Sequence, residues 1–201
     1  MSRVTASKHE LKRQRDALAR FERYLPTLRL KQRQLQVELR RVEAAVVEAG
    51  ADEARLRRDL SAWIELWVEP LDVAAHVAVE SVRWGETSVA GVTLPTLDEV
   101  RWRRRPASPA ATPAWVDDGL LAFERLAELR LRRQVLAEQR SRLAAELRFT
   151  SQRVNLFEKV KVPEAREALR FIRIALGDQQ AAEVVRAKIA KAKSLDRERS
   201  L

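Results

Sequence analysis

The most constraining feature of this sequence is an apolar heptad repeat that runs from Leu11 to Trp67 without a phase break. The a positions are Leu11, Leu18, Leu25, Gln32, Leu39, Val46, Glu53, Leu60 and Trp67, and the d positions are Gln14, Phe21, Leu28, Leu35, Val42, Ala49, Leu56 and Trp63. Fourteen of these 17 positions are apolar, and a pattern sustained over so many heptads is typical of a coiled coil. Pro26 and Gly50 interrupt helix propensity but not the register. The pattern therefore predicts one kinked helix about 85 Å long.

A second, less regular heptad series predicts another long helix, which begins near Trp115 after the proline-rich segment RRRPASPAATPAW. Asp117 and Asp118 suit its first turn, because negative charge is favourable at a helix N-terminus. The series comprises Leu126, Leu129, Arg133, Leu136, Arg140, Leu143, Leu147, Thr150, Val154 and Phe157. Past Pro163 the same register meets Ala168, Phe171, Ala175, Ala182, Val185, Ile189 and Ala192. The proline is therefore expected to bend this helix without ending it.

About 45 residues join the two helices, which is enough for them to fold back as an antiparallel pair. If Trp67 lies near Ala122, Glu53 falls beside Leu136 and within a turn of Arg133 and Arg140. The only acid of the first seam would then meet the only two bases of the second. The same alignment leaves most of residues 179–201 beyond the end of the first helix.

The middle of the chain changes character and favours β-structure. Two runs of β-favouring residues, Val77, Val79, Val82 and Trp84, then Val89, Val92 and Leu94, flank the turn former Gly85-Glu86-Thr87-Ser88. Gly91 suggests a bulge in the second run, and Pro95 is expected to end it. These signals predict a short hairpin at the closed end of the helical pair.

The predicted fold is mainly α, a long antiparallel two-helix coiled coil with a short mid-chain β-hairpin. We divide the chain into an N-terminal coiled-coil helix (1–70), the hairpin with a Pro/Arg-rich linker (71–114), and a C-terminal coiled-coil helix with a basic tail (115–201).

Composition excludes several functional classes. The chain has no cysteine, so disulfides and thiolate metal sites are excluded. No apolar run approaches 18 residues and the N-terminus resembles no signal peptide, so we expect no direct membrane insertion. The net charge is +10, but acids and bases alternate along most of the chain, which is typical of solvated helix faces. The exceptions are Arg101–Arg105 and the tail Arg186–Lys193.

Catalytic, cofactor-binding and metal-binding residues are not expected in this chain. His9 and His76 do not lie in a cluster with ligand spacing, and no glycine-rich phosphate loop is present. The five tryptophans are Trp63, Trp67, Trp84, Trp102 and Trp115. We expect them to form a small core at the closed end of the pair; the alternative is an exposed aromatic anchor for a partner.

Four stretches carry a resemblance to a known family. They are HELKRQRDALARFERYLPTLRLKQRQL, AGVTLP (Ala90–Pro95), TSQRVNLFEKVKVPEA (Thr150–Ala165) and LGDQQAAEVVRAKIAKAK (Leu176–Lys193). Their order and spacing resemble the D subunit of the V-type (archaeal/bacterial V/A-type) rotary ATPases and ATP synthases. Pro26 and the RRRPASPAATP linker depart from the pattern of that family.

The resemblance implies a non-catalytic central-stalk subunit, the rotor shaft, with no cofactor of its own. Such a shaft passes torque between an ATP-hydrolysing or ATP-synthesising head and an ion-translocating membrane ring. Its implied partners are the catalytic and non-catalytic head subunits, the F subunit and the membrane-ring connector, without nucleic acid. The implied location is peripheral, on the cytoplasmic face of the membrane.

Two other classes share the coiled-coil signature. A prefoldin-like coiled-coil chaperone subunit would show holdase activity on its own. A basic coiled-coil nucleic-acid-binding protein would show steeply salt-dependent binding to DNA or RNA.

Overall fold

The structure, a computed structural model, describes residues 5–61, 73–105 and 115–198. The elements in chain order are α1 (Lys8–Ser61), a four-residue helix α2 (Val73–His76), β1 (Val77–Val89), β2 (Val92–Arg104), α3 (Val116–Leu156), a π-helix (Phe157–Lys161) and α4 (Val162–Glu198). The long helices and the antiparallel mid-chain hairpin confirm the predicted fold class. They form two compact units. The first unit joins described residues up to Leu30 with those from Thr150 onward, and the second is Lys31–Phe149.

Helix α1 begins at a side-chain cap and keeps the predicted register. The Ser7 hydroxyl accepts a hydrogen bond from the Glu10 backbone N–H at 3.1 Å, which satisfies one of the free donors of the first turn. The helix continues through Pro26 and Gly50 to Ser61. Every a and d position from residue 11 to residue 60 is buried or half-buried, which confirms the register over that range. The predicted positions 63 and 67 lie outside the described residues.

In the first unit, α1 runs antiparallel to the C-terminal helical segments. The rings of Phe21 and Phe157 have their centroids 5.3 Å apart. On the surface, Arg29 pairs with Glu158 at 2.7 Å. Arg166 also pairs with Glu22, at 2.8 Å. Exposed pairs of this kind contribute on the order of 0–1 kcal/mol each, so the buried seam supplies most of the stability of the unit.

The register of the second helix changes at the π-helix, where the sequence prediction was wrong. Before it, the predicted positions Leu143, Leu147, Thr150, Val154 and Phe157 are buried or half-buried. After it, the buried set is Val162, Ala165, Leu169 and Ile172. These residues lie one position later than the uninterrupted heptad. Phe171, predicted in the seam, is 56% exposed, whereas Ile172 is fully buried.

The extra residue of the π-helix avoids the burial of charge. An uninterrupted α-helical register would have placed Lys161 and Glu164 in the seam, where unpaired charges are costly. The π-helix moves the seam to Val162 and Ala165 instead, and Lys161 and Glu164 pair on the surface at 3.2 Å. The Val162 N–H bonds to the Phe157 carbonyl, five residues back. Pro163 follows directly, and the chain continues as a helix, as predicted.

In the second unit, the hairpin is folded back along the helical pair. Its tip inserts Leu94, which is 1% exposed, into a core with Leu35, Val42 and Leu143. The half-buried residues Leu39, Val46, Val89, Ala90, Val92, Leu136 and Leu147 surround this core. The predicted hairpin at the closed end of the pair is therefore present, but its tip reaches the middle of the helices.

The turn of the hairpin differs from the prediction. Val89 pairs with Val92 across the two-residue turn Ala90-Gly91, and both turn residues have positive φ (50° and 79°), as a type I′ turn requires. Gly91 is therefore a turn residue and not a bulge; the bulges lie near Glu80 and between Arg83 and Trp84.

The predicted turn Gly85–Ser88 lies inside β1. Its polar residues are exposed on the strand. A Cβ on Gly85 would lie 2.5–2.6 Å from side-chain oxygens of Thr96 and Asp98, so a larger residue there would force these side chains to move.

Pro95 lies within β2 and does not end it, contrary to the prediction. It pairs with Glu86, and the strand continues to Arg104. In a two-stranded sheet each strand has an unpaired edge, so a residue without an N–H can be accommodated. The Pro95 carbonyl accepts a hydrogen bond from the Gln139 side chain at 2.6 Å, and the Thr93 carbonyl accepts one from Arg142 at 3.2 Å. These bonds attach the tip of the hairpin to α3.

The shifted seam makes a direct prediction about two adjacent residues. Ile172→Ala should lower the free energy of unfolding by about 2–5 kcal/mol, because it opens a cavity in the seam. Phe171→Ala should change it by less than about 1 kcal/mol, because more than half of that side chain is already in water. Urea unfolding followed by circular dichroism measures both. If Phe171→Ala lowered the free energy of unfolding more than Ile172→Ala does, the uninterrupted heptad register would be the correct one.

The position of the hairpin tip is tested in the same way. Leu94→Ala should destabilise the second unit by about 2–5 kcal/mol. Thr93→Ala, at the exposed neighbouring position, should stay within about 0.5 kcal/mol of the wild type. Equal urea midpoints for Leu94→Ala and the wild type would mean that the tip does not pack on the helices.

Candidate functional site

The C-terminal part of α4 is a helix without a packed face. Every residue from Gly177 to Lys193 is exposed, in agreement with the predicted alignment, which leaves this segment beyond the end of α1. We call residues 177–193 the tail segment. An isolated helix of this length is marginal in water, so a packed partner would add most of its stability.

The tail segment combines apolar and basic side chains. Val184, Val185 and Ile189 are 52–55% exposed. From residue 184 to residue 193 there are four bases and no acid: Arg186, Lys188, Lys191 and Lys193. The last ten residues of the tail segment therefore combine exposed aliphatic side chains with positive charge, which suits a partner that is apolar and acidic, whereas its first half carries the acids Asp178 and Glu183.

A cluster of charges surrounds Glu53 in the second unit. The Glu53 side chain is 5% exposed, and its carboxylate meets Arg57 at 2.8 Å, Arg130 at 3.6 Å and Arg133 through a short hydrogen bond. The predicted contact with Arg133 is confirmed. Arg140 is exposed about two turns further along α3, and Arg130 takes its predicted place. The i,i+4 spacing of Glu53 and Arg57 was a signal that the sequence analysis missed.

Hydrogen bonding by Arg133 lowers the pKa of Glu53 from its ordinary value of 4.5. Desolvation opposes this effect, and the charges of Arg133 and Arg57 reinforce it. Glu53 therefore stays ionised at neutral pH. Three guanidinium groups around one carboxylate leave a surplus of two positive charges at this place on the surface.

The open end of the hairpin is attached to α3 by charged and polar contacts. Arg104 forms a two-point contact with Glu124, at 2.7 and 2.5 Å, and the carboxylate raises the pKa of Arg104. The Trp102 ring N–H donates to Glu128 at 3.1 Å. With the tip bonds, these contacts hold both ends of the hairpin against the same helix. Sequence reasoning did not identify Glu124 or Glu128, because nothing in the heptad pattern marks them.

Three of the five tryptophans of the predicted core lie in the described residues: Trp84, Trp102 and Trp115. Trp63 and Trp67 lie outside the described residues. Trp102 and Trp115 are half-buried, whereas Trp84 is 53% exposed on β1 and does not join a core. The exposure of Trp84 is compatible with the exposed-anchor alternative, which stays a prediction; Trp84 lies on the same strand as the 48% exposed Val79.

The histidines show no arrangement typical of a metal site. His9 is exposed and His76 half-buried. Within residues 5–61, 73–105 and 115–198, no group of three or more His, Asp or Glu side chains is placed to hold a metal ion. Over the same ranges, no helix is both long enough and apolar enough to cross a bilayer.

The fold defines a class of protein: a two-helix coiled coil with an inserted β-hairpin and an exposed helical tail. The family model described as the ATP synthase D subunit matches residues 10–192. The chain is 37% identical to the V-type ATP synthase D subunit of Borreliella burgdorferi, over 100% of this chain and 99% of that protein. The proteins of the same name from Chlamydia felis and Chlamydia pneumoniae are 36% and 33% identical, over 96% and 94% of this chain and 94% and 92% of theirs. The chain belongs to the family of V-type ATP synthase D subunits.

The charge cluster predicts a specific pH dependence. Because the pKa of Glu53 is lower in the folded chain than in the unfolded chain, its contribution to stability is present above pH 4.5 and is lost as pH falls through the folded pKa. Glu53→Gln should therefore lower the urea midpoint at pH 7 and flatten its decline below pH 4.5.

Glu43→Gln, at an exposed position of the same helix, is the matched control and should follow the wild type at every pH. Identical pH profiles for both variants would contradict a stabilising role for Glu53.

Proposed function

We propose that this chain is the non-catalytic central-stalk subunit of a V-type ATP synthase. It acts as the rotor shaft that transmits torque between the ATP-hydrolysing or ATP-synthesising head and the ion-translocating membrane ring. Membership of the family supports the assignment of this chain to such a complex. The observation that carries the shaft role is the tail segment, a continuation of α4 with every residue exposed.

The geometry of the helices suits the transmission of torque. Helices packed along a buried seam within each unit resist bending and twisting together, because deformation would open that seam to water. Within each unit this seam is reinforced: by Phe21 against Phe157 in the first, and by the hairpin tip at Leu94 in the second. A single helix would lack this resistance.

The tail segment and the hairpin are assigned to different partners. The tail segment, apolar and basic, is assigned to the catalytic and non-catalytic head subunits. The hairpin, with Val79 and Trp84 exposed, is assigned to the F subunit and the membrane-ring connector. Contact with the membrane is then indirect, on its cytoplasmic face, and nucleic acid is not a partner.

Catalysis belongs to other subunits in this proposal. The buried carboxylates of the described residues serve structure, because arginines hold each of them: Arg13 holds Glu10, Arg133 holds Glu53 and Arg104 holds Glu124. The chain contributes rigidity and contact surfaces, and the nucleotide chemistry takes place in the head.

Truncation tests the shaft role. A chain that ends at Leu176 should fold with an unchanged Leu94 core but lower the ratio of ions transported to ATP hydrolysed by at least severalfold in the reconstituted complex. A chain that ends at Lys193 keeps the tail segment and is the matched control. Unchanged coupling in the Leu176 variant would contradict the proposal.

Affinity purification of the full chain from its native cells provides an independent test. The proposal expects nucleotide-binding head subunits and a small F subunit to be recovered with it. Recovery with unfolded client proteins would favour the chaperone class instead, and salt-sensitive recovery of nucleic acid would favour the nucleic-acid-binding class.

A further inference from the structure

The first turns of α4 carry two sets of residues that could form a seam with α1, one residue apart in register. The set that is buried, the observed seam, comprises Val162, Ala165, Leu169 and Ile172. The set that continues the heptad of α3 without interruption, the alternative seam, comprises Lys161, Glu164, Ala168, Phe171 and Ala175. At about 100° per residue, the mean directions of the two sets differ by about 100° around the helix.

The alternative seam is largely apolar and lies close to burial already. Ala168 and Ala175 are half-buried beside the observed seam, and Phe171 is 56% exposed. Lys161 and Glu164 oppose burial of this set, but they pair with each other at 3.2 Å, so neither charge would enter the seam alone. Because desolvation of the pair still costs free energy, the observed seam is the more stable of the two.

The π-helix between the two halves of the seam is weakly packed. No residue between Val154 and Val162 is buried, so few apolar contacts oppose a local change of backbone conformation. Pro163 has no N–H, so the helical ladder lacks one hydrogen bond at this point whether the preceding turn is π or α. Conversion of the π-helix into an α-helix therefore breaks few contacts.

The start of the π-helix, in contrast, is fixed to α1. The rings of Phe157 and Phe21 have their centroids 5.3 Å apart, and Glu158 pairs with Arg29 at 2.7 Å. If the five residues took the α-helical conformation, the helix beyond them would turn by about 100° and advance by about 1.5 Å relative to α1. That movement exchanges the observed seam for the alternative seam.

We propose that the π-helix Phe157–Lys161 is a conformational switch by which α4 changes between two registers against α1, with the observed seam dominant and the alternative seam as the minor state. The change is a rotation of α4 about its own axis, so a twisting force on the end of α4 shifts the balance between the registers. The switch concerns two helices of a single chain, and it goes beyond the proposed function without depending on it.

Thiol labelling of the full chain measures the minor register. The sequence contains no cysteine, so Val162→Cys introduces a single thiol at a position that is 8% exposed in the observed seam. At helical spacing this position lies about 140° from the alternative seam, where solvent reaches it. The rate of reaction with Ellman's reagent therefore follows the population of the minor register. Ala165→Cys, at the next buried position, is the second reporter if Val162→Cys does not fold.

Two glutamates provide a matched pair of variants on the reporter chain. Glu164 belongs to the alternative seam, whereas Glu167 is exposed and belongs to neither seam. Glu164→Leu replaces a charge that opposes the alternative seam with an apolar side chain that favours it, and it should raise the labelling rate by about fivefold or more. Glu167→Leu makes the same chemical change and should leave the rate within about twofold.

Two exposed apolar residues provide the opposite test. Phe171 and Ile174 are each 56% exposed, but only Phe171 belongs to the alternative seam. Phe171→Ala should lower the labelling rate by about tenfold, because burial of the ring stabilises the minor register alone. Ile174→Ala should leave the rate within about twofold, because Ile174 lies about 100° from the alternative seam and about 160° from the observed one.

The dependence of the labelling rate on urea distinguishes the switch from unfolding. A change of register exposes little additional surface, so the rate should be almost constant at urea concentrations below the unfolding transition. A rate that rises with urea as steeply as global unfolding would overturn the switch, and so would equal rates for Glu164→Leu and Glu167→Leu. Neither result bears on the shaft role, which the truncated chains test separately.

Discussion

Burial of an apolar seam between antiparallel helical segments within each unit is the constraint on which the other features depend. A seam tolerates interruptions of helix propensity, such as Pro26 and Gly50 in α1, but it does not tolerate unpaired charge. At Lys161 and Glu164 the heptad would bury two charged side chains, and the helix takes up one additional residue as a π-helix rather than do so. The π-helix therefore sets which residues of α4 are buried in the seam and which are exposed to solvent.

The heptad pattern was sufficient to predict both long helices, their antiparallel return and the contact of Glu53 with Arg133, because a 3.5-residue repeat over many turns leaves few alternatives. It could not predict the register after Phe157. The one indication of a register change was a gap, because the predicted series contained no seam residue between Phe157 and Ala168. Seam positions occupied by a lysine and a glutamate were evidence of a phase change, and continuity of the helix was mistaken for continuity of the register.

The hairpin shows a different limit of sequence reasoning. Strand content was clear from β-branched residues, but Gly85 and Gly91 were assigned the wrong roles. Gly91 occupies a turn position with φ of 79°, whereas a Cβ on Gly85 would displace the side chains of Thr96 and Asp98. Close approach between strands depends on the register, and the register was not available from composition. The contacts of Arg104 with Glu124 and of Trp102 with Glu128 are likewise tertiary and have no local signature.

The fixed hairpin has a mechanical consequence. Its tip shares a core with α1 and α3 through Leu94, and its open end is bonded to α3 through Arg104 and Trp102. A load applied anywhere on its outer surface therefore reaches the helices at two separated points, and neither strand can pivot about the Ala90-Gly91 turn without breaking the core. The hairpin thus stiffens the second unit. A torque that a bound protein applied to the hairpin would be transmitted directly to the helices.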